Sequence, residues 1–247
     1  IATNAPHGPL WVPDRYRDPY RNQVRANEAS FFGMIANIDQ NLGRLDRYLH
    51  QNGLHENTIL IFMTDNGTAS GENVFNANMK GKKSSLYEGG HRVPFFVRWP
   101  DGNIQGGRDV EGLTRGTDLL PTLIDLCGLD LPDGLIFDGL SLADPLQTGQ
   151  PVSTERISVV QFGHPNEGIW GYTAEDQAAV MWQHWRLVNG HELYDVNTDL
   201  GQSNDLSADY PDIVSRLCDH YQAWWDGVGQ NLDRYHPLTI GTANENP

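Results

Sequence analysis

The sequence predicts an α/β fold, a mixed sheet flanked by helices, followed by a small antiparallel sheet with a C-terminal helix. Three observations predict it. Helical periodicity from Ala26 to Leu49 leads into an unbroken apolar run, Thr58 to Met63, and a helix feeding a buried strand is the repeating unit of such sheets. The run stops abruptly at Asp65-Asn66-Gly67, the position just beyond a strand's carboxyl end where α/β sheets place their ligands. Beyond about residue 150 the pattern changes to short β-rich segments closed by one amphipathic stretch. The expected division assigns residues 1–140 to the larger α/β unit and 141–247 to a small α+β unit.

Residues 1–20, rich in Pro, Tyr, Arg and Asp, read as a loop. Within it Pro6-His7-Gly8-Pro9 holds a histidine among conformationally restricted neighbours, so His7 is a candidate acid or ligand, the alternative being a solvated loop histidine. Phe31, Met34, Ile35, Ile38, Leu42, Leu45 and Leu49 form one helical stripe, and Asn52-Gly53 supplies the stop. Asp39 and Arg44 lie on that helix and read as solvated or ion-paired. The apolar run after Thr58, Ile59 to Met63, lacks alternation, which suits a strand covered on both faces, as in a parallel sheet. An Asn-Gly hairpin at Asn66-Gly67 is the competing reading, but the polar residues Thr68 to Asn73 offer no partner strand.

A polar loop then reaches Lys80-Gly81-Lys82-Lys83-Ser84-Ser85, a basic cluster suited to an oxyanion or, equally, to solvent. Val93 to Trp99 reads as a second buried strand, with Pro94 marking its start or an edge. Residues 101–116 read as a Gly-rich linker. Thr117 to Leu126 forms a helix with Pro121 in its first turn and Gly128 closing it. Pro132-Asp133-Gly134, Asp138-Gly139 and Pro145 to Pro151 mark a boundary. Ile157–Phe162, Ala178–Gln183, Trp185–Val188 and Glu192–Val196 are short strands, the last two joined through Asn189-Gly190. A helix from Tyr210 to Gly227 carries Ile213, Val214, Leu217, Tyr221, Trp224 and Trp225 on one stripe.

Thirty-two acids oppose 17 Lys and Arg among 247 residues, a formal charge of −15, which argues against nonspecific binding of nucleic acid or anionic membrane. No apolar run approaches the ~20 residues of a membrane-spanning helix. Cys127 and Cys218 sit in apolar helical contexts and read as buried, reduced thiols. Phe162 to Tyr172, aromatic and glycine-rich, is a candidate substrate-facing segment or a plain surface loop.

Five segments in order resemble the type I sulfatases of the alkaline-phosphatase superfamily. These are Asn4-Ala5-Pro6-His7-Gly8-Pro9, Phe62 to Gly67, Lys83 to Pro94, Thr117 to Leu123 and Glu192 to Asp199. The resemblance implies that Asp65 and Asn66 are two ligands of one Ca²⁺ ion, and hard oxygen donors suit that ion better than Zn²⁺. It implies that Lys83 binds a sulfuryl oxygen, with Lys82 the neighbouring competitor, and that His7 serves the leaving-group side. Related two-metal phosphatases place a histidine where Asn66 stands, which favours sulfate esters. Ser84 occupies a position where glycine is common in the family. Glu88, Gly89, Gly90 and Arg92 look structural, and His91 reads as a hydrogen-bonded structural histidine.

The family's nucleophile is a formylglycine made within C/S-x-P-x-R, and this chain contains no such sequence: Cys127 precedes Gly-Leu-Asp and Cys218 precedes Asp-His-Tyr. By the resemblance, that segment and two further aspartates lie before Ile1, so the chain is expected to be the C-terminal portion of a sulfatase. It is expected to be inactive alone, with an incomplete calcium site and a missing N-terminal half as its partner. The expected substrate is a sulfate ester, such as a sulfated carbohydrate or aryl sulfate, and the family's compartments are periplasmic, secreted or lysosomal. A related phosphodiesterase or phosphonate ester hydrolase, and a noncatalytic chain binding sulfated ligands or requiring a partner, are the alternatives.

Overall fold

A computed structural model describes residues 1–131, 134–161 and 178–229. The candidate segment Phe162 to Tyr172 lies outside the described residues. A short helix, α1 (Asp14–Arg17), packs on the long helix α2 (Ala26–Gln51). Gly33 lies against the Tyr16 backbone there, 3.0 Å from where a Cβ would stand, so the close approach depends on glycine. Glu28 accepts a hydrogen bond from the Arg25 N–H at the start of α2 (3.0 Å), and Gly53, at φ 66°, turns the chain after its end.

Strand β1 (Leu60–Met63) pairs with β2 (Phe95–Arg98), with Leu60 opposite Arg98 and Met63 opposite Phe95. The pairing is antiparallel, not the parallel arrangement expected, and the strands are not covered on both faces: Met63 is 37% and Phe96 65% exposed. An apolar run without alternation reports residues able to face a core on either side; it carries neither the direction of the partner strand nor how many layers cover it. The α2 stripe is graded accordingly. Phe31, Met34 and Leu49 are buried, whereas Ile35 is 42% exposed beside an open groove shared with Phe62 and Phe96. No tight hairpin forms at Asn66-Gly67, because the partner of β1 arrives some thirty residues later, after the short helix α3 (Glu88–His91).

The stretch read as a linker is mostly exposed and is anchored at its start. Trp99 bridges Ile104, which is 3% exposed, and the Trp99 ring lies against Gly102. Helix α4 (Leu119–Cys127) follows a 3-10 turn at Gly116–Asp118 and ends at Gly128 in the left-handed conformation, φ 60°. Helix α5 (Ala143–Thr148) falls in the region whose weak periodicity gave no element. Both cysteines are free, but neither is fully buried: Cys218 is half-buried, and Cys127, on the solvent side of the last turn of α4, is exposed.

The C-terminal part is an antiparallel meander of β3 (Ile157–Gln161), β4 (Ala178–Trp182), β5 (Trp185–Val188) and β6 (Glu192–Asp195), in that spatial order. Asn189 and Gly190, with φ of 52° and 72°, make the β5–β6 turn. The register places Val159, Val180, Leu187 and Leu193 in one row across the sheet. Leu217 of α6 (Pro211–Gly229) is fully buried against that row, with Ile213, Val214 and Tyr221 around it. The other sheet face buries Ala179, Val188 and Tyr194 beneath Leu86 and Tyr87. The sheet is thereby sandwiched between α6 and the segment that carries the basic loop. Among the described residues, no helix is long and apolar enough to cross a membrane.

Candidate active site

β1 ends by delivering Asp65, which is exposed, and Asn66, which is half-buried. The Thr64 hydroxyl donates to the Asn66 carbonyl at 3.3 Å, and no side chain among the described residues pairs with either the Asp65 carboxylate or the Asn66 amide. The chain then tucks beneath residues 81–90. The Gly67 N–H donates to the Gly90 carbonyl (3.0 Å) and the Lys83 N–H to the Thr68 carbonyl (2.7 Å). These two bonds fix the Lys83 backbone beside the turn that carries Asp65 and Asn66. The approach depends on absent side chains: a Cβ on Gly67 would lie 1.9 Å from the Gly89 carbonyl oxygen, and one on Gly89 2.3 Å from that of Gly81.

The three lysines of the loop have different surroundings. Lys82 is committed to Glu72, 2.8 Å away, and its hydrogen bond holds the Glu72 carboxyl below the ordinary range. Lys80 lies 3.9 Å over the Tyr87 ring and donates to the Gln202 carbonyl at 3.2 Å. Lys83, half-buried, has no side-chain hydrogen bond, ion pair or ring contact among the described residues. Ser84 next to it takes φ 71°, the left-handed region that glycine adopts without cost, which explains why glycine is common there.

His7 stands apart. It is exposed, and its hydrogen bonds stay within its own turn, from its N–H to the Asn4 carbonyl and between Nδ1 and the Gly8 carbonyl, both at 3.0 Å. The structure therefore brings Asp65, Asn66 and Lys83 onto adjoining loops and does not join His7 to them.

Behind the loops lies a buried charged brace. Glu88, 1% exposed, accepts from Arg186 Nε at 2.6 Å and from Arg92 at 3.2 Å, and its N–H donates to the Gln202 side chain at 2.8 Å. Burial alone would raise the Glu88 pKa; the charge and hydrogen bond of Arg186 outweigh it, and the carboxyl is held low. Tyr87 donates to Glu192 at 3.0 Å. These contacts tie the basic loop to β5 and β6, across the expected division at residue 140. His91 is structural here, its Nε2 3.1 Å from the Leu86 carbonyl, and burial lowers its pKa. A second buried pair, Asp118 with Arg156 at 2.6 and 2.7 Å, locks α4 to the approach to β3. Sequence reasoning missed both arginines. The available signal was a charge inside or next to an apolar strand, which requires a buried partner.

The donor chemistry of Asp65 and Asn66 fits a hard cation such as Ca²⁺, although two residues supply only part of its six to eight oxygen ligands. No further carboxylate or histidine completes a cluster around Asp65 among the described residues.

The family described as Sulfatase matches residues 1–129, and the family described as N-sulphoglucosamine sulphohydrolase, C-terminal, matches residues 81–222. Arylsulfatase J of Mus musculus is 27% identical over 88% of this chain, which spans 43% of that protein's length. A solved structure of Ps i-CgsB with k-i-k-neocarrahexaose shares the fold, with a TM-score of 0.77 and 23% identity over 89% of this chain and 48% of the other. Phosphonate monoester hydrolase of Agrobacterium radiobacter superposes with a TM-score of 0.61 at 26% identity, covering 80% of this chain and 41% of that one. The chain spans about half the length, or less, of these relatives. With two family matches that together run from residue 1 to 222, the chain belongs to the sulfatase family and has the alkaline-phosphatase-like fold of the type I sulfatases.

Proposed function

We propose that this chain supplies cation- and sulfate-binding residues for the hydrolysis of sulfate esters. The observation that carries the reading is Lys83: of the three lysines in its loop it is the one left without a partner among the described residues, and two backbone hydrogen bonds hold it beside Asp65 and Asn66. In this reading Asp65 and Asn66 hold Ca²⁺, and Lys83 binds a sulfuryl oxygen as charge accumulates on it. Calcium, when bound, supplies charge neutralisation, and formylglycine, which no C/S-x-P-x-R segment of this chain provides, supplies the nucleophile. His7 donates a proton to the departing alcohol oxygen. The substrate class is a sulfated carbohydrate or aryl sulfate, in keeping with the arylsulfatase and the carrahexaose-bound relative.

The test measures turnover of a fluorogenic aryl sulfate by a protein carrying this chain together with a formylglycine segment. Lys83→Ala is expected to lower turnover at least ~100-fold, and Lys82→Ala to leave it within a few-fold. Equal losses in both variants would overturn the assignment of Lys83. The 247-residue chain alone is expected to show no turnover. A second reading, phosphonate ester hydrolysis, rests on the likeness to the Agrobacterium enzyme; faster turnover of a phenyl phosphonate than of the sulfate would favour it.

A further inference from the structure

A second cluster of ligating side chains lies at the opposite end of β1 from Asp65. Asp46 and His50 stand one turn apart near the end of α2, and the turn at Asn52-Gly53 folds the chain back so that His55 covers His50, ring centroids 3.6 Å apart. One ligating atom from each of Asp46, His50 and His55 lies within 4.8 Å of the others.

We propose that Asp46, His50 and His55 form a binding site for a divalent transition-metal ion of the Zn²⁺ class, clamping the end of α2 to the connection that enters β1.

The hydrogen bonds around the cluster arrange it for that role. His50 Nδ1 lies 2.9 Å from the Asp46 carbonyl, which can only accept, so Nδ1 carries the proton and Nε2 keeps its lone pair. His55 Nδ1 lies 3.0 Å from a Glu56 carboxylate oxygen, which fixes the same tautomer. A carboxylate or carbonyl behind a ligating histidine is the usual outer partner in metal sites, orienting the ring and raising its basicity. Glu56 is itself anchored, its carbonyl accepting the Asp101 N–H at 3.0 Å. Asp46 gives one carboxylate oxygen to Arg98 at 2.8 Å, and its other oxygen lies 3.7 Å from His50 Nδ1, on the protonated side of the ring.

Two imidazoles and one carboxylate are a donor set that favours Zn²⁺, Ni²⁺ or Cu²⁺ over Ca²⁺ or Mg²⁺. Ligand distances of about 2.0–2.2 Å in a tetrahedral site put donor atoms about 3.4 Å apart. Contraction from 4.8 Å requires the side chains to close on the ion, and the His50 side chain, 52% exposed, has room to move. The fourth position is left to water.

The experiment is calorimetric titration of Zn²⁺ into the chelator-stripped full chain at pH 7.5, with Co²⁺ absorption as a second readout. One tight equivalent is expected, together with the visible d–d bands of a low-symmetry Co²⁺ site. His50→Ala and His55→Ala are expected each to weaken Zn²⁺ binding by at least about 10-fold and to remove the Co²⁺ bands, with circular dichroism unchanged. Asp65→Asn is expected to leave Zn²⁺ binding as it was. Absence of a tight equivalent in the folded chain, unchanged affinity in both histidine variants, or loss of binding in Asp65→Asn would each overturn the proposal.

Discussion

Replacing Arg186 with methionine isolates the brace that holds the basic loop on the C-terminal sheet. The Glu88 carboxylate, 1% exposed, would lose its 2.6 Å partner at Oε1, and the Gln183 and Trp185 carbonyls would each lose a donor, at 2.8 and 3.0 Å. Removing one partner of a buried pair costs about 3–5 kcal/mol. Arg92 still reaches the second Glu88 oxygen at 3.2 Å, from a side chain that is 56% exposed, so the lower end applies. The expected loss is about 3 kcal/mol, roughly a hundredfold in the folding equilibrium. Urea unfolding followed by the fluorescence of the seven tryptophans would measure it.

The pH dependence gives a second handle on the same pair. In the native protein Glu88 is held low, so its contribution is present above the unfolded carboxyl pKa of about 4.3 and is lost as pH falls through the folded value. In Arg186→Met burial dominates and raises the folded pKa, so the penalty is full at neutral pH and lifts as pH falls. The stability gap between the two proteins is therefore expected to narrow from pH 7 to pH 4. A double variant, Glu88→Gln with Arg186→Met, is expected to recover a large part of the loss, because no unpaired charge then remains buried. A cost below about 1 kcal/mol for the single variant, or a gap that widens in acid, would refute this account of the brace.

Two further predictions concern stability. Leu217→Ala, at a fully buried position facing Val180, Leu187 and Leu193, is expected to cost about 2–5 kcal/mol, and a change under 1 kcal/mol would mean that α6 does not seal the sheet. Ser84→Gly is expected to leave stability unchanged or raise it by up to about 1 kcal/mol, whereas Ser84→Val lowers it, because Ser84 holds φ 71°; the reverse order of unfolding midpoints would count against a left-handed backbone there.

The extent of α2, the four short strands and the closing helix were legible in the sequence because each is set by local periodicity and turn chemistry: a stripe ending at Asn52-Gly53, or an Asn189-Gly190 turn between apolar segments. Asp65 and Asn66 stood out for a similar reason, an abrupt change from apolar to polar residues at a strand's end, and the lysine cluster stood out in an acidic chain, whereas Lys83 was singled out within it only by the resemblance to the sulfatases. Other features depend on partners far away in sequence. The direction of the β1–β2 pairing is set by where residue 95 returns, and the separation of Lys83 from Lys82 rests on a contact with Glu72. The roles of Arg156 and Arg186 emerge only when Asp118 and Glu88 are brought to them across 38 and 98 residues. Nearest-neighbour chemistry determines which elements form, because propensity and amphipathicity act within a few turns of chain. Which charges are buried, which lysine stays free and which histidines meet are decided by desolvation and pairing, and these exist only once the chain has closed on itself.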